Sequence, residues 1–343
     1  MGAESGGIKP PRQLLDRWGR VAKDLRISVT DRCNLRCSYC LPEDADTWIP
    51  RQDLLTAREF GRLAQVALSL GIRKVRLTGG EPLLRPDLEE IIRQIRQAST
   101  EADLPAEIAL TTNAIGLATR IDSLVEAGLG RINISLDTLD PDRYFALAKR
   151  DRFSEVAAAL EKLPGSGLDP VKLNSVILDQ KSLEELPDLV RFALRGGFQW
   201  RAIEFMPIGP LGDSAAARPH AHDIFRRLQE CFTLTPIETD PAAPARRWNV
   251  AAGSDYPAGI IGVIASESSP FCASCDRTRL SANGRVYSCL FSMTFVDLLA
   301  PLRQGASDEE LAQLWLSAQA AKPAGHTKIT VERRTYSLSQ IGG

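Results

Sequence analysis

The sequence predicts an α/β fold in which a parallel sheet carries helices on its outer side. Short runs of β-branched residues alternate with helical apolar spacing from about residue 25 to residue 206. Glycines such as Gly71 and Gly128 fall where the intervening helices should end. Six strand–helix repeats in succession indicate parallel strands, arranged either as a barrel or as an open sheet.

The individual elements follow from local pattern. Helical spacing of apolar residues is clear in the run from Phe60 to Leu70, and it recurs from Leu88 to Ile95. A further helix is predicted over residues 224–232, with its apolar side chains on one face. The six strands are predicted at Leu25–Thr30, Arg73–Thr78, Glu107–Thr112, Arg131–Leu136, Val171–Leu178 and Arg201–Met206.

The character of the sequence changes after Met206, where a stretch rich in Pro and Gly interrupts the repeats. We therefore expect an N-terminal extension over residues 1–24, a barrel region over 25–213 and a C-terminal region over 214–343. The C-terminal region is expected to cap the barrel, because its pattern does not suggest an independent domain.

Bulk composition limits the classes of function. The chain has 343 residues, of which 44% are hydrophobic and 25% charged, with a formal net charge of −1. This balance argues against broad nucleic-acid binding, which needs an excess of Lys and Arg on one surface. No apolar stretch is long enough to cross a bilayer, so no membrane partner is expected. Clustered thiols without a recognisable secretory leader favour the reducing cytoplasm.

Three cysteines lie together just after the first predicted strand. Cys33, Cys37 and Cys40 have CxxxCxxC spacing, which crowds three thiolates onto one tight loop. That loop could hold three corners of a cubic iron–sulfur cluster, and no fourth cysteine follows nearby. One iron would be left open, and metal centres with an open position usually perform chemistry. The spacing therefore predicts an iron that binds a small molecule.

Two simpler interpretations of these cysteines fit less well. A structural zinc site normally has four Cys or His ligands, and the whole chain has only three His. A disulfide framework fits poorly with seven cysteines, an odd number. The open iron–sulfur site is therefore the favoured hypothesis.

Polar residues gather where the predicted strands meet their following loops. In parallel strand–helix architectures this carboxyl edge is where ligands bind. Such residues also start ordinary loops, but five of the six repeats show the pattern, which favours a shared site. The polar ends are Thr30–Asp31, Thr78–Glu81, Thr111–Asn113, Ser135–Asp137 and Glu204–Met206.

The second predicted strand carries two cations on one face. Lys74 and Arg76 alternate with apolar residues, and parallel strands are usually covered on both faces. Cations on an inward face need an anionic partner. Lys172 on the fifth strand could join them. This arrangement indicates a ligand that bears phosphate.

A second group of cysteines lies near the C-terminal end. Cys272 and Cys275 form a CxxC pair, and Cys289 follows after thirteen intervening residues. Three thiolates again suggest a cluster with one free iron, although zinc completed by a distant His or by Cys231 stays open. The cations at Arg277 and Arg279 would suit an anionic, planar or phosphorylated substrate.

These motifs resemble a known family. The CxxxCxxC loop, with Tyr39 before its last cysteine and the Gly79–Pro82 sequence GGEP after the second strand, is similar to the radical S-adenosylmethionine superfamily. The second cysteine group, its Asp276–Arg279 sequence DRTR and the terminal Gly342–Gly343 closely resemble the GTP 3′,8-cyclase (MoaA) family of that superfamily. The resemblance runs from about Leu25 to the last residue.

The resemblance implies a radical cyclisation. In that family the first cluster binds S-adenosylmethionine and yields a 5′-deoxyadenosyl radical, which takes the 3′ hydrogen of GTP. The sugar radical attacks C8 of guanine and forms 3′,8-cyclo-7,8-dihydro-GTP, the first step of molybdenum cofactor biosynthesis. The implied cofactors are two 4Fe–4S clusters and S-adenosylmethionine, and the chain would be a lyase.

The resemblance also implies site residues, position by position. The cysteines Cys33, Cys37 and Cys40 would be the catalytic cluster ligands, and Cys272, Cys275 and Cys289 would hold the second cluster, whose open iron binds guanine. The implied S-adenosylmethionine contacts are Tyr39, Gly80, Glu81, Ser135 and Met206. The implied GTP contacts are Arg26, Lys74, Arg76, Thr111, Lys172, Arg201, Arg277, Thr278 and Arg279.

Fold and partners follow from the same resemblance. The implied fold is an incomplete (βα)6 TIM-like barrel, capped by the C-terminal segment that carries the second cluster. The implied partners are GTP, an electron donor, a second copy in a homodimer, and a cyclic pyranopterin monophosphate synthase that receives the product. The alternatives are a radical S-adenosylmethionine maturase acting on a peptide and a zinc-binding module without enzymatic activity.

Some residues depart from the expected pattern. Ala114 stands where the family commonly has Gly, and Ala does not readily adopt a positive φ. Strict alternation places Arg201 on the face opposite Glu204 and Met206, so a bulge or an early strand start would be needed to bring it into the site. Only the resemblance suggests that the Gly342–Gly343 tail enters the site.

Overall fold

The computed structural model describes residues 12–42, 45, 47–208, 218–325 and 338–341. Six parallel strands form the centre of the sheet, and each pairs with the next one in the chain. Their bounds lie within two residues of the predicted ones, which confirms the α/β prediction. They are β1 (Asp24–Ser28), β2 (Lys74–Thr78), β3 (Glu107–Thr112), β4 (Arg131–Ser135), β5 (Val171–Ile177) and β6 (Gln199–Glu204).

Helices connect these strands. The first begins with a capping box, in which Thr56 and Glu59 satisfy each other's backbone N–H groups. The third ends at Gly128, whose φ of 113° is a left-handed conformation that suits glycine. The six helices are α1 (Ala57–Ser69), α2 (Leu88–Glu101), α3 (Ile121–Ala127), α4 (Pro141–Ala148), α5 (Phe153–Lys162) and α6 (Gln180–Arg195).

The C-terminal region extends the sheet at both edges. Its β9 pairs in parallel with β6, and its β10 pairs in parallel with β1, so both flank the predicted barrel strands. Its elements are α7 (Ala221–Cys231), β7 (Leu234–Ile237), β8 (Arg246–Val250), β9 (Gly259–Ile264), β10 (Arg277–Leu280), β11 (Arg285–Tyr287), β12 (Val296–Asp297), α8 (Leu299–Arg303), α9 (Asp308–Ala320) and α10 (Leu338–Ile341).

The complete strand order is β12-β11-β10-β1-β2-β3-β4-β5-β6-β9-β8-β7. The parallel portion therefore runs from β10 to β9, with antiparallel strands at each end. Because the C-terminal strands share the sheet with the barrel strands, the described part of the C-terminal region is integrated into the fold. Sequence periodicity did not predict the two added parallel strands.

The turn after β3 shows how the departure at Ala114 is accommodated. Ala114 adopts a φ of 67°, a left-handed conformation that costs an L-residue roughly 1–2 kcal/mol. Its N–H donates to Thr112 Oγ1 at 3.0 Å, and its methyl group is fully buried. These contacts offset the strain, so the turn forms without glycine.

Among the described helices, none is both long and apolar enough to be a candidate for crossing a membrane.

Candidate active site

The two cysteine groups lie at opposite ends of the paired strands β1 and β10. The first cysteine set (Cys33, Cys37 and Cys40) follows the carboxyl end of β1. In the second cysteine set (Cys272, Cys275 and Cys289), the CxxC pair precedes the amino end of β10, and β10 runs parallel to β1. The third member follows β11, which is antiparallel to β10 and returns the chain to the same end. The five residues of β1 span roughly 17 Å at about 3.3 Å per residue.

The loop of the first cysteine set is tight and well supported. Cys40 donates its N–H to the Cys37 carbonyl at 2.9 Å, which closes a turn. The N–H groups of Arg36 and Ser38 donate to the last carbonyls of α4, each at 3.0 Å. The Arg36 guanidinium also donates to the Cys33 carbonyl at 2.8 Å. The loop is therefore held by backbone contacts on two sides, which leaves the thiols for another purpose.

The thiols of this set are free, and their surroundings disfavour unassisted ionisation. Burial raises the pKa of Cys33 to about 11 and that of Cys40 to about 12, and for Cys40 the neighbouring Cys33 adds to the rise. Burial also raises the pKa of Cys37 well above its ordinary value. Thiolates here need a positive partner, and three thiols on one loop are the donor set of an iron–sulfur cluster. Among the described residues, no three His, Cys, Asp or Glu side chains form a site for a single metal ion.

Two glycines allow the loop after β2 to lie directly against this segment. The Gly80 N–H donates to the Thr30 carbonyl at 2.8 Å. A Cβ atom on Gly80 would lie 2.1 Å from the Arg32 carbonyl oxygen, which is a severe clash. Gly79, with a φ of 140°, has the Thr30 oxygen 2.2 Å from the position of its missing Cβ. The Gly79–Gly80 pair is therefore required for close backbone packing beside the first cysteine set.

A buried carboxyl group follows these glycines. Glu81 is 1% exposed and accepts hydrogen bonds from Thr112 Oγ1 at 2.6 Å and from the Asn113 N–H at 2.8 Å. Burial raises the Glu81 pKa to about 7, against the lowering effect of these hydrogen bonds. Its charge also contributes to the raised pKa of Cys33, so the carboxyl group lies near the first cysteine set. It could accept hydrogen bonds from an ammonium group placed there.

Asp137 is a residue at this edge that the predicted set of site residues does not include. Tyr39 donates its hydroxyl hydrogen to Asp137 Oδ2 at 2.6 Å, and the Val176 N–H donates to Asp137 Oδ1 at 2.8 Å. Asp137 therefore fixes the orientation of the Tyr39 ring. The signal was present in the sequence, because Asp137 follows β4 among the polar strand ends. Ser135, at the end of β4, is exposed, and Met206 follows β6.

A row of arginines crosses three adjacent parallel strands. Arg279 on β10, Arg26 on β1 and Arg76 on β2 are register neighbours and therefore share one face. The Nε atoms of Arg26 and Arg76 are buried and have no hydrogen-bond partner within the described part of the chain. The closest carboxylate to Arg76 is that of Asp24, with 3.9 Å between Nη2 and Oδ2.

The electrostatics of this arginine row (Arg279, Arg26 and Arg76) indicate an anionic ligand. Burial lowers the pKa of Arg26 well below its ordinary value, and its arginine neighbours lower it further. Burial likewise lowers the pKa of Arg279 to about 10. Crowded, dehydrated cations are costly unless an anion joins them. A polyanion in the interior would satisfy this requirement.

A cavity of about 230 Å³ opens at the amino end of the strands, beside this row. Its lining contains more cationic than acidic side chains, which suits phosphate. Arg131 and Arg247 belong to it, although the sequence did not single them out. The cationic residues are Lys74, Arg76, Arg131, Lys172, Arg201, Arg247 and Arg277, and the acidic ones are Asp24, Asp240 and Asp276.

Arg201 lies in this cavity without a bulge, contrary to the expected difficulty. Its Nε donates to Asn174 Oδ1 at 2.9 Å, and its Nη2 donates to Asn133 Oδ1 at 2.7 Å. Arg201 is the register neighbour of Asn174 on β5 and therefore shares the face of Lys172. Glu204 has the opposite parity along β6, and its carboxylate accepts N–H groups from the loop after β9. Burial and neighbouring arginines lower the Arg201 pKa to about 9.

Thr111 and Thr278 are placed differently. Thr111 accepts a hydrogen bond from Asn133 at 3.1 Å. Asn133 is the register neighbour of both Thr111 and Lys172, so the three residues share one face of the sheet. Thr278 lies on the outer face of β10, where its hydroxyl accepts a hydrogen bond from the Trp315 indole at 3.1 Å. Because adjacent residues of a strand point to opposite faces, the Thr278 side chain faces away from Arg277 and Arg279, and a contact of Thr278 with substrate stays a prediction for its backbone.

The second cysteine set has a more cationic environment than the first. Burial alone would raise the pKa of Cys275, but Lys322 and Arg277 lower it overall. The pKa of Cys289 stays raised, chiefly by burial. The two thiols also influence each other electrostatically, so they lie close together. Thiols next to cations are suited to binding metal as thiolates.

The last described residues of the chain lie over the interior. The Ile341 carbonyl accepts a hydrogen bond from Arg279 Nη1 at 3.1 Å, and the Ser339 carbonyl accepts one from Ser28 Oγ at 2.8 Å. The chain end is thus anchored to β1 and β10. The Gly342–Gly343 tail itself lies outside the described residues.

Comparison with known proteins agrees with this geometry. Residues 27–193 match the family described as the Radical SAM superfamily, and residues 198–328 match Molybdenum Cofactor Synthesis C. The GTP 3′,8-cyclase of Corynebacterium glutamicum is 47% identical over 323 residues, which cover 92% of this chain and 85% of that relative. The enzyme of the same name from Mycobacterium marinum is 48% identical, over 91% of this chain and 87% of the relative. The chain belongs to the GTP 3′,8-cyclase family.

A solved structure supports the fold of this family member. SuiB from Streptococcus suis, in a crystal structure with S-adenosylmethionine, aligns with a TM-score of 0.57 at 16% identity. The alignment covers 82% of this chain and 66% of SuiB, slightly under two thirds of its length. At this identity the likeness concerns the fold alone, and it agrees with a partial barrel of parallel strands.

Proposed function

We propose that this chain is a GTP 3′,8-cyclase, a radical S-adenosylmethionine lyase that catalyses the first step of molybdenum cofactor biosynthesis. One observation carries the proposal. Two three-cysteine sets lie at opposite ends of β1 and β10, and between them is the arginine row, in which the buried Nε atoms of Arg26 and Arg76 lack partners among the described residues. Two separate cluster sites with an anion site between them match a reaction that joins a radical source to a nucleotide.

At the carboxyl end, the first cysteine set would hold a 4Fe–4S cluster through Cys33, Cys37 and Cys40. When bound, this cluster supplies the electron that cleaves S-adenosylmethionine. The buried Glu81 carboxyl group would accept hydrogen bonds from the ammonium group of S-adenosylmethionine. The complete proposed set of cofactor contacts is Tyr39, Gly80, Glu81, Ser135 and Met206.

At the amino end, the second cysteine set would hold a second 4Fe–4S cluster with an open position for the guanine base. The Arg277 guanidinium lies beside it, with Nη1 3.8 Å from Cys275 Sγ. The triphosphate would occupy the cationic cavity, where Lys74, Lys172 and Arg201 meet. The ribose would then lie between the two ends, near the arginine row. The proposed GTP contacts are Arg26, Lys74, Arg76, Thr111, Lys172, Arg201, Arg277, Arg279 and, through its backbone, Thr278.

The direct test is the nucleotide dependence of S-adenosylmethionine cleavage. Protein purified and reconstituted without oxygen should contain iron and sulfide, and after reduction it should form 5′-deoxyadenosine together with a pterin precursor when GTP is present. ATP is the matched control, because it has the same triphosphate and a different base. Zinc without iron would instead favour the non-enzymatic zinc module. A product yield that does not depend on GTP would refute the cyclase assignment.

Binding of the triphosphate is expected to weaken as the pH rises above about 7. Burial, with help from Arg201, lowers the pKa of Lys172 to about 7, so its ammonium group is charged below that value and neutral above it. A triphosphate binds the charged form, and each pH unit above the free-state pKa therefore raises Kd by up to about tenfold. The measurement is anaerobic equilibrium binding of GTP between pH 6 and pH 9.

Two variants isolate the contribution of this lysine. Lys172→Met should bind GTP more weakly at pH 6, and its Kd should rise much less steeply with pH than that of the parent. Lys181→Met changes an exposed position of α6 and should keep the parental dependence of Kd on pH. Equal slopes in the parent and in Lys172→Met would show that another group controls the pH dependence.

Partners and compartment are also proposed. The chemistry requires a one-electron donor, and the product would pass to a cyclic pyranopterin monophosphate synthase. We place the enzyme in the cytoplasm because its clustered thiols must stay reduced. A homodimer is proposed from the family resemblance. The peptide maturase alternative gains no support from a cationic cavity that suits phosphate.

A further inference from the structure

A short segment after α9 packs directly against the second cysteine set. Lys322 is 1% exposed, and its Nζ donates to the Cys275 carbonyl at 3.1 Å and to the Arg277 carbonyl at 2.7 Å. A Cβ atom on Gly325 would lie 2.8 Å from Cys272 Cβ, so the contact is close. The segment therefore touches both cysteines of the CxxC pair.

Arg20, from the region before β1, fastens this segment. Its Nη1 donates to the Cys272 carbonyl at 2.6 Å and to the Ala324 carbonyl at 2.7 Å, and its Nη2 donates to the Pro323 carbonyl at 2.5 Å. The Arg20 charge is balanced by Asp16, whose Oδ2 lies 2.6 Å from Nε. The Arg20 guanidinium, whose charge Asp16 balances, therefore joins the backbone at Cys272 to the backbone of residues 323–324.

Lys322 differs from Arg20 in its charge balance. No ion pair joins it to a carboxylate within the described residues, although burying an ammonium group without a counter-charge is strongly unfavourable. Its backbone acceptors satisfy hydrogen bonds but carry no net charge. The Lys322 Nζ lies 3.1 Å from the carbonyl of Cys275, so the ammonium group is placed at the backbone of a cysteine of the second set. The counter-charge is therefore expected from that cysteine set and the group that it binds.

We propose that Lys322 is a positioning residue that neutralises the second cluster site and raises the reduction potential of the group held there. The proposal rests on the proposed function, because it assumes an iron–sulfur cluster on Cys272, Cys275 and Cys289. Reduction adds one electron from an external reductant and makes the cluster more negative. A buried ammonium group beside a ligand stabilises that reduced state, since cluster potentials respond to nearby charge and hydrogen bonds.

The test measures the midpoint potential of the second cluster alone. Full-length protein with Cys33, Cys37 and Cys40 replaced by Ser would serve as the parent, and dithionite would be the reductant in an EPR-monitored titration. Lys322→Gln keeps a side-chain N–H donor but carries no charge, whereas Lys322→Arg keeps the charge. Lys181→Gln, at an exposed site, is the matched control.

Lys322→Gln should lower the reduced-to-oxidised ratio at a fixed potential by about tenfold, which equals 59 mV for a one-electron couple. Lys322→Arg should stay closer to the parent, and Lys181→Gln should match it. Retention of iron in the Arg variant with its loss in the Gln variant would also support the role of the charge. An unchanged potential in Lys322→Gln would overturn the proposal, as would equal iron loss in both variants. A parent without iron or sulfide would instead refute the second cluster itself, and the proposal with it.

Discussion

Cys37→Ser is expected to abolish both S-adenosylmethionine cleavage and GTP cyclisation. Cys37 is at the centre of the first cysteine set, where its carbonyl closes the loop turn and its thiol interacts with those of Cys33 and Cys40. Loss of an outer-shell partner already lowers activity or affinity at metal sites by about 10–100-fold, so loss of a ligand should exceed about 100-fold. The measurement is 5′-deoxyadenosine and product yield after anaerobic reconstitution.

Cys272→Ser should behave differently. The second cysteine set is at the opposite end of β1, a strand that spans roughly 17 Å. Cleavage of S-adenosylmethionine should therefore persist in part, whereas cyclisation should fall to background. Cys231→Ser provides the control, because that thiol lies on α7 and packs against the hydrophobic core. If cleavage were lost in Cys272→Ser and retained in Cys37→Ser, the proposed division of roles between the two sets would be wrong.

Arg76→Met is expected to lower kcat/KM for GTP by about 30-fold to several thousand-fold. Arg76 is at the end of the arginine row and also lines the cationic cavity, so it would contact the bound nucleotide. Truncating one member of a buried charge pair costs about 2–5 kcal/mol, and each 1.36 kcal/mol corresponds to tenfold in rate. Steady-state kinetics at several GTP concentrations would measure the change.

Stability separates this catalytic effect from a folding defect. The Arg76 Nε has no hydrogen-bond partner among the described residues, and its ion pair with Asp24 is long, with 3.9 Å between Nη2 and Oδ2. Loss of this contact is offset by the removal of a crowded cation from the interior, so the free energy of unfolding should change little when Met replaces Arg76. Urea unfolding of the iron-free protein would test this expectation. Arg93→Met, on the exposed face of α2, is the matched control for removal of one arginine charge. A large loss of stability in Arg76→Met would indicate a structural role and weaken the assignment to substrate binding.

The predicted parts of the fold are those governed by local pattern. The six central strands were predictable because each short apolar run is followed by helical spacing, and their observed bounds differ by at most two residues. Strands β9 and β10 were not, since they pair with β6 and β1 across more than fifty residues of intervening chain. Periodicity shows which face of a strand is apolar but not its distant neighbour.

The same distinction explains the candidate site. The inward direction of Lys74 and Arg76 was predictable from alternation along β2, and the structure places both beside the cavity. Alternation along β10 likewise places the Thr278 side chain on the face opposite Arg277 and Arg279, but only the structure shows that its hydroxyl binds the Trp315 indole. A role for Lys322 could not be predicted from the sequence, because a single lysine after a helix is usually exposed and only the structure shows that this one is buried.

The destination of the 3′ hydrogen of GTP is the most direct test of the central claim. Reduced protein would be incubated without oxygen with S-adenosylmethionine and GTP deuterated at C3′, and the 5′-deoxyadenosine would be analysed by mass spectrometry. We predict one deuterium in the 5′-deoxyadenosine, formed together with the cyclised nucleotide. Unlabelled 5′-deoxyadenosine, in a yield independent of GTP, would contradict the assignment of this chain as a GTP 3′,8-cyclase.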